Sequence, residues 1–304
     1  MTNQSITMDG RQWAQLLLLS ILWGATFFFV GVAVKEVPPL TIVFIRVALA
    51  ALLLLPIFFY FGHQLPKTFK SWQPYWVMGL LNNVIPFSLL FAGQTYLTAG
   101  LASIINAMTP LFAVLIMAGF GEERLNLHRI IGVLMGAAGV AVLRGFDGQV
   151  AIGQTIGIGL CLAGSISYGF AGLWGRRKLV GIPPLKSATC QLICSSVIMI
   201  FVASVYDQPW TLAAPSLNAW LAIIALALFG TAMAYLIYFK LLQHAGATNV
   251  LLVTLLVPVT ALFLGIYFLD ETISPQQIIG ALIIAVALLC LDGRVFKLLK
   301  PNRL

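Results

Sequence analysis

Ten apolar runs constrain the fold of this chain more than any other feature of its sequence. A helix needs about 20 mainly apolar residues to cross the hydrocarbon core of a bilayer. In lipid the backbone polar groups must be satisfied internally, which favours helices for such runs. The sequence therefore predicts an all-α membrane protein with ten transmembrane helices, at approximately 13–34, 39–61, 72–93, 97–119, 128–145, 152–174, 185–205, 217–240, 246–268 and 275–292.

The composition indicates the same class of protein. Of the 304 residues, 61% are hydrophobic and 9% are charged, whereas about a quarter are charged in a typical soluble domain. The net charge of +8 is compatible with a nucleic-acid partner, but the basic residues lie in short loops between apolar runs, where they report topology. We therefore expect no nucleic acid. The expected partners are the lipid bilayer and a small-molecule substrate, and the protein is expected to act as a monomer.

One stretch of the sequence occurs twice, first from Ala99 to Gly139 and again from Ala245 to Ala287. Each copy opens with an Ala-Gly pair and continues through a proline, an acid thirteen positions later and a glycine nine positions after that. The duplication extends upstream, because Trp23-Gly24 is echoed by Tyr168-Gly169. The matched positions within the copies are Pro110 with Pro258, Glu123 with Glu271, and Gly132 with Gly280.

The duplication predicts two five-helix repeats, at 13–145 and 153–292. Because five is an odd number, the second repeat enters the membrane from the opposite side, and the repeats are inverted copies. With the N-terminus in the cytoplasm, fourteen basic residues are cytoplasmic and only Lys35 and Arg144 are external, so both termini are predicted to be cytoplasmic. Inverted repeats are typical of transporters, whose halves exchange inward-open and outward-open forms around a central site. The alternative is a duplication kept only for packing.

The repeated Pro…Glu…Gly spacing and the ten spans resemble the paired EamA domains of the drug/metabolite transporter superfamily. The aromatic-rich first, third, sixth and eighth helices are also similar to those of the YddG-type aromatic amino-acid exporters. The resemblance implies ten helices around a central cavity and export of amino acids or similar metabolites across a bacterial inner membrane. The second copy departs from the first where Gly136 and Gly139 become Ile284 and Ala287, so helix contacts there need not be symmetric.

Polar and aromatic side chains inside the apolar runs are the candidates for substrate binding. Polar groups are costly in lipid and should face the bundle interior or a wet cavity. Close helix packing is the alternative for the small and hydroxyl residues. The candidates are the aromatic Trp23, Tyr168, Tyr235 and Tyr238, for apolar and π contacts; the amides Asn82, Asn83 and Asn106, for hydrogen bonds to an amino-acid head group; and Ser103, Ser165, Thr231, Thr254 and Arg46.

Arg46 is the one basic residue well inside a span. A charged residue at the centre of a membrane helix costs about 2.5–3.5 kcal/mol on insertion scales. One interpretation is that the side chain extends to the outer surface of the membrane. The other is that it meets a substrate carboxylate, or a carbonyl freed by a nearby helix break. Its counterpart in the second repeat is Gln191, so the charge is not part of the symmetry.

Three prolines and two acids are further candidates for a role in the mechanism. Pro86, Pro110 and Pro258 are expected to kink their helices, either as hinges or as static bends for packing. Glu123 and Glu271 fall at helix ends. Each is expected to cap the N-terminus of the helix that follows it or to pair with basic residues of the loops.

The residues that the spans lack limit the chemistry. No span contains a deep Asp or Glu, so a carboxylate proton relay is disfavoured and a uniporter is the simplest expectation. No G-x-x-x-x-G-K-[ST] loop occurs, so ATP is not expected as the driver, and no cofactor is expected. The four cysteines lie inside apolar spans, so no disulfide framework is predicted, and Cys190 and Cys194 share a helix face without a His or acid in the same span, so no metal site is predicted. A lipid-modifying enzyme would need a catalytic cluster, and none is predicted. A multidrug or lipid exporter of the same superfamily is the remaining alternative.

Overall fold

The computed structural model describes residues 8–144, 152–250 and 252–292. Within these ranges the chain forms helices joined by short loops, and no strand occurs there. Nine of the described helices are long and apolar enough to cross a membrane, and a tenth, Pro275–Leu291, is apolar but shorter. The predicted all-α membrane fold is confirmed.

The crossing helices are numbered here in chain order. Several begin at signals that the sequence carries: α1 opens with a capping box between Asp9 and Gln12, and α2 and α7 carry a proline in the first turn, where its missing N–H costs nothing. The helices are α1 (Gly10–Ala33), α2 (Pro39–Tyr60), α3 (Phe69–Gln94), α4 (Ala99–Gly119), α5 (Leu127–Arg144), α6 (Ile152–Lys178), α7 (Pro184–Tyr206), α8 (consecutive segments Leu217–Ala227, Leu228–Met233 and Ala234–Val250), α9 (Leu252–Leu269) and α10 (Pro275–Asp292).

The main packing contacts join one repeat to the other: α5 packs on α10, α2 on α7, and α1 on α9. The α5–α10 contact is very close. A Cβ atom on Gly139 would lie 3.1 Å from the carbonyl oxygen of Gly280, and a Cβ atom on Gly280 would lie 2.8 Å from the carbonyl oxygen of Gly139. Small residues allow such an approach between membrane helices, where dispersion contacts drive association.

Two π-helical turns interrupt α3 and α8, at Leu80–Val84 and Leu228–Met233. The sequence offset that relates Pro110 to Pro258 also relates these two turns, so they occupy equivalent positions in the two repeats. Such turns are rare and are frequent at functional sites. The candidate residues Asn82 and Asn83 lie in the turn of α3, and Thr231 lies in the turn of α8.

The three prolines, which are expected to kink their helices, lie in two kinds of position. The helix α4 is interrupted at Ala107 and Met108, and Pro110 lies in the first turn of the segment that follows, Thr109–Gly119. Pro86 likewise lies in the first turn of the α-helical segment that follows the π-helical turn of α3. Pro258 alone lies inside a continuous helix, α9. A hinge role for any of them stays a prediction.

Candidate substrate-binding site

The interior of the helix bundle contains a set of hydrogen-bonded polar side chains, called here the central polar cluster. Its members come from four helices of both repeats. Polar groups buried away from water are costly unless they are hydrogen-bonded. The bonds between these side chains offset the cost of burying them. The cluster consists of Arg46 on α2, Asn82 and Asn83 on α3, Gln191 and Ser195 on α7, and Thr231 and Tyr235 on α8.

Asn83 is the most deeply buried amide of the cluster, with an exposed fraction of 0%. Its Nδ2 donates to Ser195 Oγ at 3.0 Å, and its Oδ1 accepts a hydrogen bond from the Tyr235 hydroxyl at 3.0 Å. The neighbouring Asn82 donates through Nδ2 towards Gln191 Oε1 at 3.1 Å and the Tyr235 hydroxyl oxygen at 3.3 Å. The amides of α3 therefore join the first repeat to two helices of the second.

Arg46 has an exposed fraction of 5%, so its side chain does not extend to the outer surface. Its Nε donates to Thr231 Oγ1 at 2.8 Å, and its Nη2 donates to the Gly230 carbonyl at 3.4 Å. That carbonyl belongs to the π-helical turn of α8. The guanidinium carbon lies 3.9 Å from the ring centroid of Phe87, which is a cation–π geometry. Of the two interpretations of Arg46, the structure favours the one in which it faces the bundle interior.

Arg46 and Gln191 occupy equivalent positions on α2 and α7, and each reaches the π-helical turn of the other repeat. Arg46 of the first repeat contacts Gly230 and Thr231, and Gln191 of the second contacts Asn82. The repeat offset pairs Asn82 with Gly230. Both π-helical turns are therefore contacted from the other repeat, but in opposite senses: Arg46 donates to a hydroxyl and a backbone carbonyl, whereas Gln191 Oε1 accepts from the Asn82 amide.

The aromatic candidates divide between two places. Tyr168 lies edge-on to Phe87, with ring centroids 6.5 Å apart, and Phe87 in turn lies against the Arg46 guanidinium, so Tyr168 adjoins the central polar cluster. Trp23 and Tyr238 instead form a ring pair between α1 and α8, with centroids 5.4 Å apart. Both members of this pair are partly buried and pack on the apolar core.

Asn106 ends the first segment of α4, just before the helix is interrupted. Its Oδ1 atom is buried and has no hydrogen-bond partner among the described residues. Leaving a buried acceptor unpaired costs about 1–3 kcal/mol. A native amide in this state therefore offers an acceptor to a donor from outside the chain.

Two hydroxyl candidates, Ser103 and Ser165, donate to backbone carbonyls of their own helices. Ser103 Oγ donates to the Gly100 carbonyl at 2.6 Å, and Ser165 Oγ donates to the Cys161 carbonyl at 3.0 Å, so each bonds its own helix. Both are fully buried, which fits close helix packing better than substrate contact. Thr254 is partly buried on α9.

Sequence reasoning missed Gln191, Ser195 and Phe87 as members of the site. A signal for the first two was present, since Gln191 is the counterpart of Arg46 and Ser195 follows it at the four-residue spacing of one helix face. Phe87 gave no signal, because an aromatic residue in an apolar run is indistinguishable from core until its neighbour across the bundle is known.

Glu271 caps a helix, but a different helix from the one expected. Its Oε1 accepts a hydrogen bond from the Ala99 amide at 2.6 Å, and its Oε2 accepts one from the Gly100 amide at 3.1 Å. These are the first amides of α4, in the other repeat. The N-terminus of α10, which follows Glu271, is capped by Ser274, whose Oγ accepts from the Gln277 amide at 3.3 Å.

Glu123 follows the other expectation and pairs with basic residues. Its Oε2 lies 2.7 Å from Arg129 Nη1, and its Oε1 lies 3.2 Å from Arg176 Nη1. All three side chains are partly exposed. The two acids are equivalent in sequence but differ in their described contacts, so this structure is not symmetric between the two membrane sides. In the described ranges, no group of three or more His, Cys, Asp or Glu side chains is placed to hold a metal ion.

Comparison with known proteins identifies the family. A model described as the EamA-like transporter family matches residues 12–145 and 155–291. The uncharacterized inner membrane transporter YedA of Escherichia coli K12 is 29% identical over 283 residues, which is 92% of this chain and 91% of YedA. The uncharacterized transporter YvbV of Bacillus subtilis is 29% identical over 280 residues, which is 90% of this chain and 88% of YvbV.

A solved crystal structure shares the fold. It superposes with a TM-score of 0.67 at 17% sequence identity and covers 96% of this chain and 100% of its own. At this identity the likeness shows the fold alone. The family model, in contrast, covers both halves of the sequence. The chain therefore belongs to the EamA-like transporter family of the drug/metabolite transporter superfamily, and it is a membrane transporter.

Proposed function

We propose that this protein exports amino acids, aromatic ones included, or similar small metabolites by alternating access. It would lie in the bacterial inner membrane with both termini in the cytoplasm. The distribution of basic residues between the loops supports that orientation, and the printed name of YedA describes an inner membrane transporter.

The central polar cluster is the observation that carries this proposal. Buried polar side chains at membrane depth mark substrate pathways in transporters, and these ones join both repeats at two equivalent π-helical turns. A site between inverted repeats can be exposed to either side as the halves rock against each other. In the described conformation Asn83 and Tyr235 are buried, with exposed fractions of 0% and 9%, whereas Asn82 is partly exposed.

Each part of an amino acid has a partner of matching chemistry. The amides Asn82, Asn83 and Asn106 would bond the head group, and Asn82 and Asn83 would give up bonds within the protein to do so. The unpaired Oδ1 of Asn106 accepts hydrogen bonds, which suits an ammonium group. Trp23, Tyr168 and Tyr235 would supply apolar and π surface for the substrate side chain. Without an acid beside the cluster in the described ranges, facilitated flow down the substrate gradient is the simplest energetics.

The test is efflux from liposomes that contain the purified protein and labelled tryptophan, threonine or lysine, with and without a proton gradient. We expect efflux of tryptophan that does not depend on the gradient. Asn83→Leu and Asn106→Leu should each reduce the rate, whereas Asn218→Leu, at an exposed position of α8, serves as the matched control and should not. Gradient-dependent efflux would refute uniport, and absence of efflux for all three amino acids would refute the substrate class.

A further inference from the structure

We infer that Arg46 selects the transported species by its negative charge: the substrate carries a carboxylate or a similar single anionic group, and cationic amphiphiles are excluded. This inference rests on the proposed function and deepens it, because it names the group of the substrate that the central polar cluster recognises.

Arg46 has no acidic side chain beside it in the described ranges. Arg46 is buried within the membrane span, where charges are normally paired or bound to an ion. In the described ranges its polar contacts are one hydroxyl and one backbone carbonyl, both uncharged. The acidic residues of those ranges all lie in loops or at helix ends, namely Asp9, Glu36, Glu122, Glu123, Asp207, Asp270, Glu271 and Asp292. Among the residues that the structure describes, no acidic side chain therefore serves as the anion for this cation.

The Arg46 guanidinium has more N–H donors than its two described hydrogen bonds use. A guanidinium carries five N–H donors in a planar fork that matches a carboxylate. Two of these donors reach Thr231 and Gly230. Phe87 lies against one face of the guanidinium, with its ring centroid 3.9 Å from the guanidinium carbon, and this contact leaves the edge of the guanidinium for hydrogen bonds. The remaining edge donors suit a bidentate anion.

The equivalent position of the other repeat carries a neutral side chain. Gln191 reaches the π-helical turn of α3 from α7 and accepts there, through Oε1, a hydrogen bond from the Asn82 amide. If the residue at this position served only to bridge the repeats, a neutral side chain would suffice in both. The insertion cost of a charge in one repeat only indicates a further task for Arg46. The cluster then has one positive end, at Arg46, and one amide end, at Gln191 and Asn82.

The experiment compares three indole compounds: tryptophan, indole-3-propionate, which keeps the carboxylate without the amine, and tryptamine, which keeps the amine without the carboxylate. Competition against labelled tryptophan efflux and thermal stabilisation of the detergent-solubilised protein are measured for each. We expect tryptophan and indole-3-propionate to compete and stabilise, and tryptamine to be weaker by about tenfold or more, the loss expected for a charge-assisted bond.

Arg46→Gln, which copies the neutral partner of the other repeat, should remove this discrimination, and Arg46→Lys should keep its sign but reduce its size. Arg11→Gln, an exposed cation at the start of α1, is the matched control. Equal binding of tryptamine by the wild-type protein, or unchanged discrimination in Arg46→Gln, would overturn the inference. If Arg46→Gln does not fold, the wild-type comparison and Arg46→Lys decide.

The two proposals fail differently. Indole-3-propionate that binds while no amino acid is transported would refute the proposed function and support the anion contact. Tryptophan transport with equal recognition of tryptamine would support the function and refute the anion contact. If none of the three compounds stabilises the protein or competes, both are wrong.

Discussion

Glu271 and Ala99 are 172 positions apart in the chain, yet the carboxylate of the first lies 2.6 Å from the backbone amide of the second. The residue before Glu271, Asp270, has a φ of 55°, which ends α9 and turns the chain back. A Cβ on Gly265 would overlap the Glu271 carboxylate, so a glycine is required there for the side chain to pass. Glu271 of the second repeat thus caps the N-terminus of α4 in the first repeat. A cavity of about 360 Å³ lies beside this cap.

We expect Glu271→Gln to destabilise the protein by about 1–3 kcal/mol, because it removes a charge-assisted bond to the N-terminus of α4 and an attraction to its helix dipole. Thermal unfolding in detergent measures this. Glu123→Gln is the natural control, since it loses only partly exposed ion pairs, which are worth about 0–1 kcal/mol. Equal losses in the two variants would show that the cap contributes no more than a surface pair.

Alternating access adds a second expectation for the same variant. Because Glu271 joins the two repeats on one membrane side only, its loss should favour the conformation open on that side. Thr95 is an exposed position beside this cavity. A cysteine introduced by Thr95→Cys should be labelled faster when Glu271→Gln is also present than when Thr95→Cys is the only substitution. Unchanged labelling would confine the role of the cap to stability.

Tyr235→Phe should weaken both stability and transport. The substitution removes the hydroxyl that donates to Asn83 and accepts from Asn82, and it leaves the buried Asn83 Oδ1 without that partner, at a cost of about 1–3 kcal/mol. Tyr267→Phe, at an exposed position of α9, provides the comparison and should change neither quantity. A Tyr235→Phe protein with wild-type unfolding temperature and efflux rate would exclude this hydrogen-bond network from both roles.

Gly24→Ala should disrupt the contact between α1 and α9. The added Cβ would lie 2.8 Å from the Val257 carbonyl oxygen and 2.5 Å from the Thr260 Cβ atom, closer than such atoms approach. Overpacking of this kind costs about 1–3 kcal/mol. Gly159→Ala in α6 meets nothing within 4 Å and should be neutral or stabilising by up to about 1 kcal/mol, since alanine has the higher helix propensity. Similar unfolding temperatures for both variants would contradict this packing argument.

The pH dependence of stability should include a contribution from Glu36, in the loop between α1 and α2. Its carboxylate accepts hydrogen bonds from the Ser216 hydroxyl at 2.6 Å and the Ser216 amide at 2.7 Å, and these bonds hold the pKa of Glu36 below its ordinary value of 4.5. A carboxyl whose pKa is lowered on folding stabilises the protein above its unfolded pKa, and this contribution is lost as the pH falls through the folded value.

Glu36→Gln should therefore unfold at a lower temperature than the wild type at pH 7, and the difference should shrink below about pH 4.5. Unfolding in detergent, followed across this range, measures it. A difference that persists unchanged at pH 3 would mean that the charge of Glu36 is not involved.

The sequence by itself determined the class of fold and the family. Ten apolar runs in lipid leave helices as the solution for the backbone, and the paired Pro110…Glu123 and Pro258…Glu271 spacings show the duplication without any coordinates. Both signals depend only on residue types and their positions along the chain, so they need no knowledge of which residues meet in space. Asn82, Asn83 and Arg46 could be selected as candidates in the same way, because a polar residue inside an apolar span is costly whichever helix it faces.

Only the tertiary structure decided which of these side chains meet. That Arg46 reaches Thr231, that Gln191 reaches Asn82, and that Glu271 caps α4 rather than α10 all depend on contacts between repeats. A sequence pattern gives the face on which a residue lies but not the helix opposite that face. The physical reason is that membrane helices associate through close packing and interhelical hydrogen bonds between distant segments, and these leave no periodic signal in either segment alone.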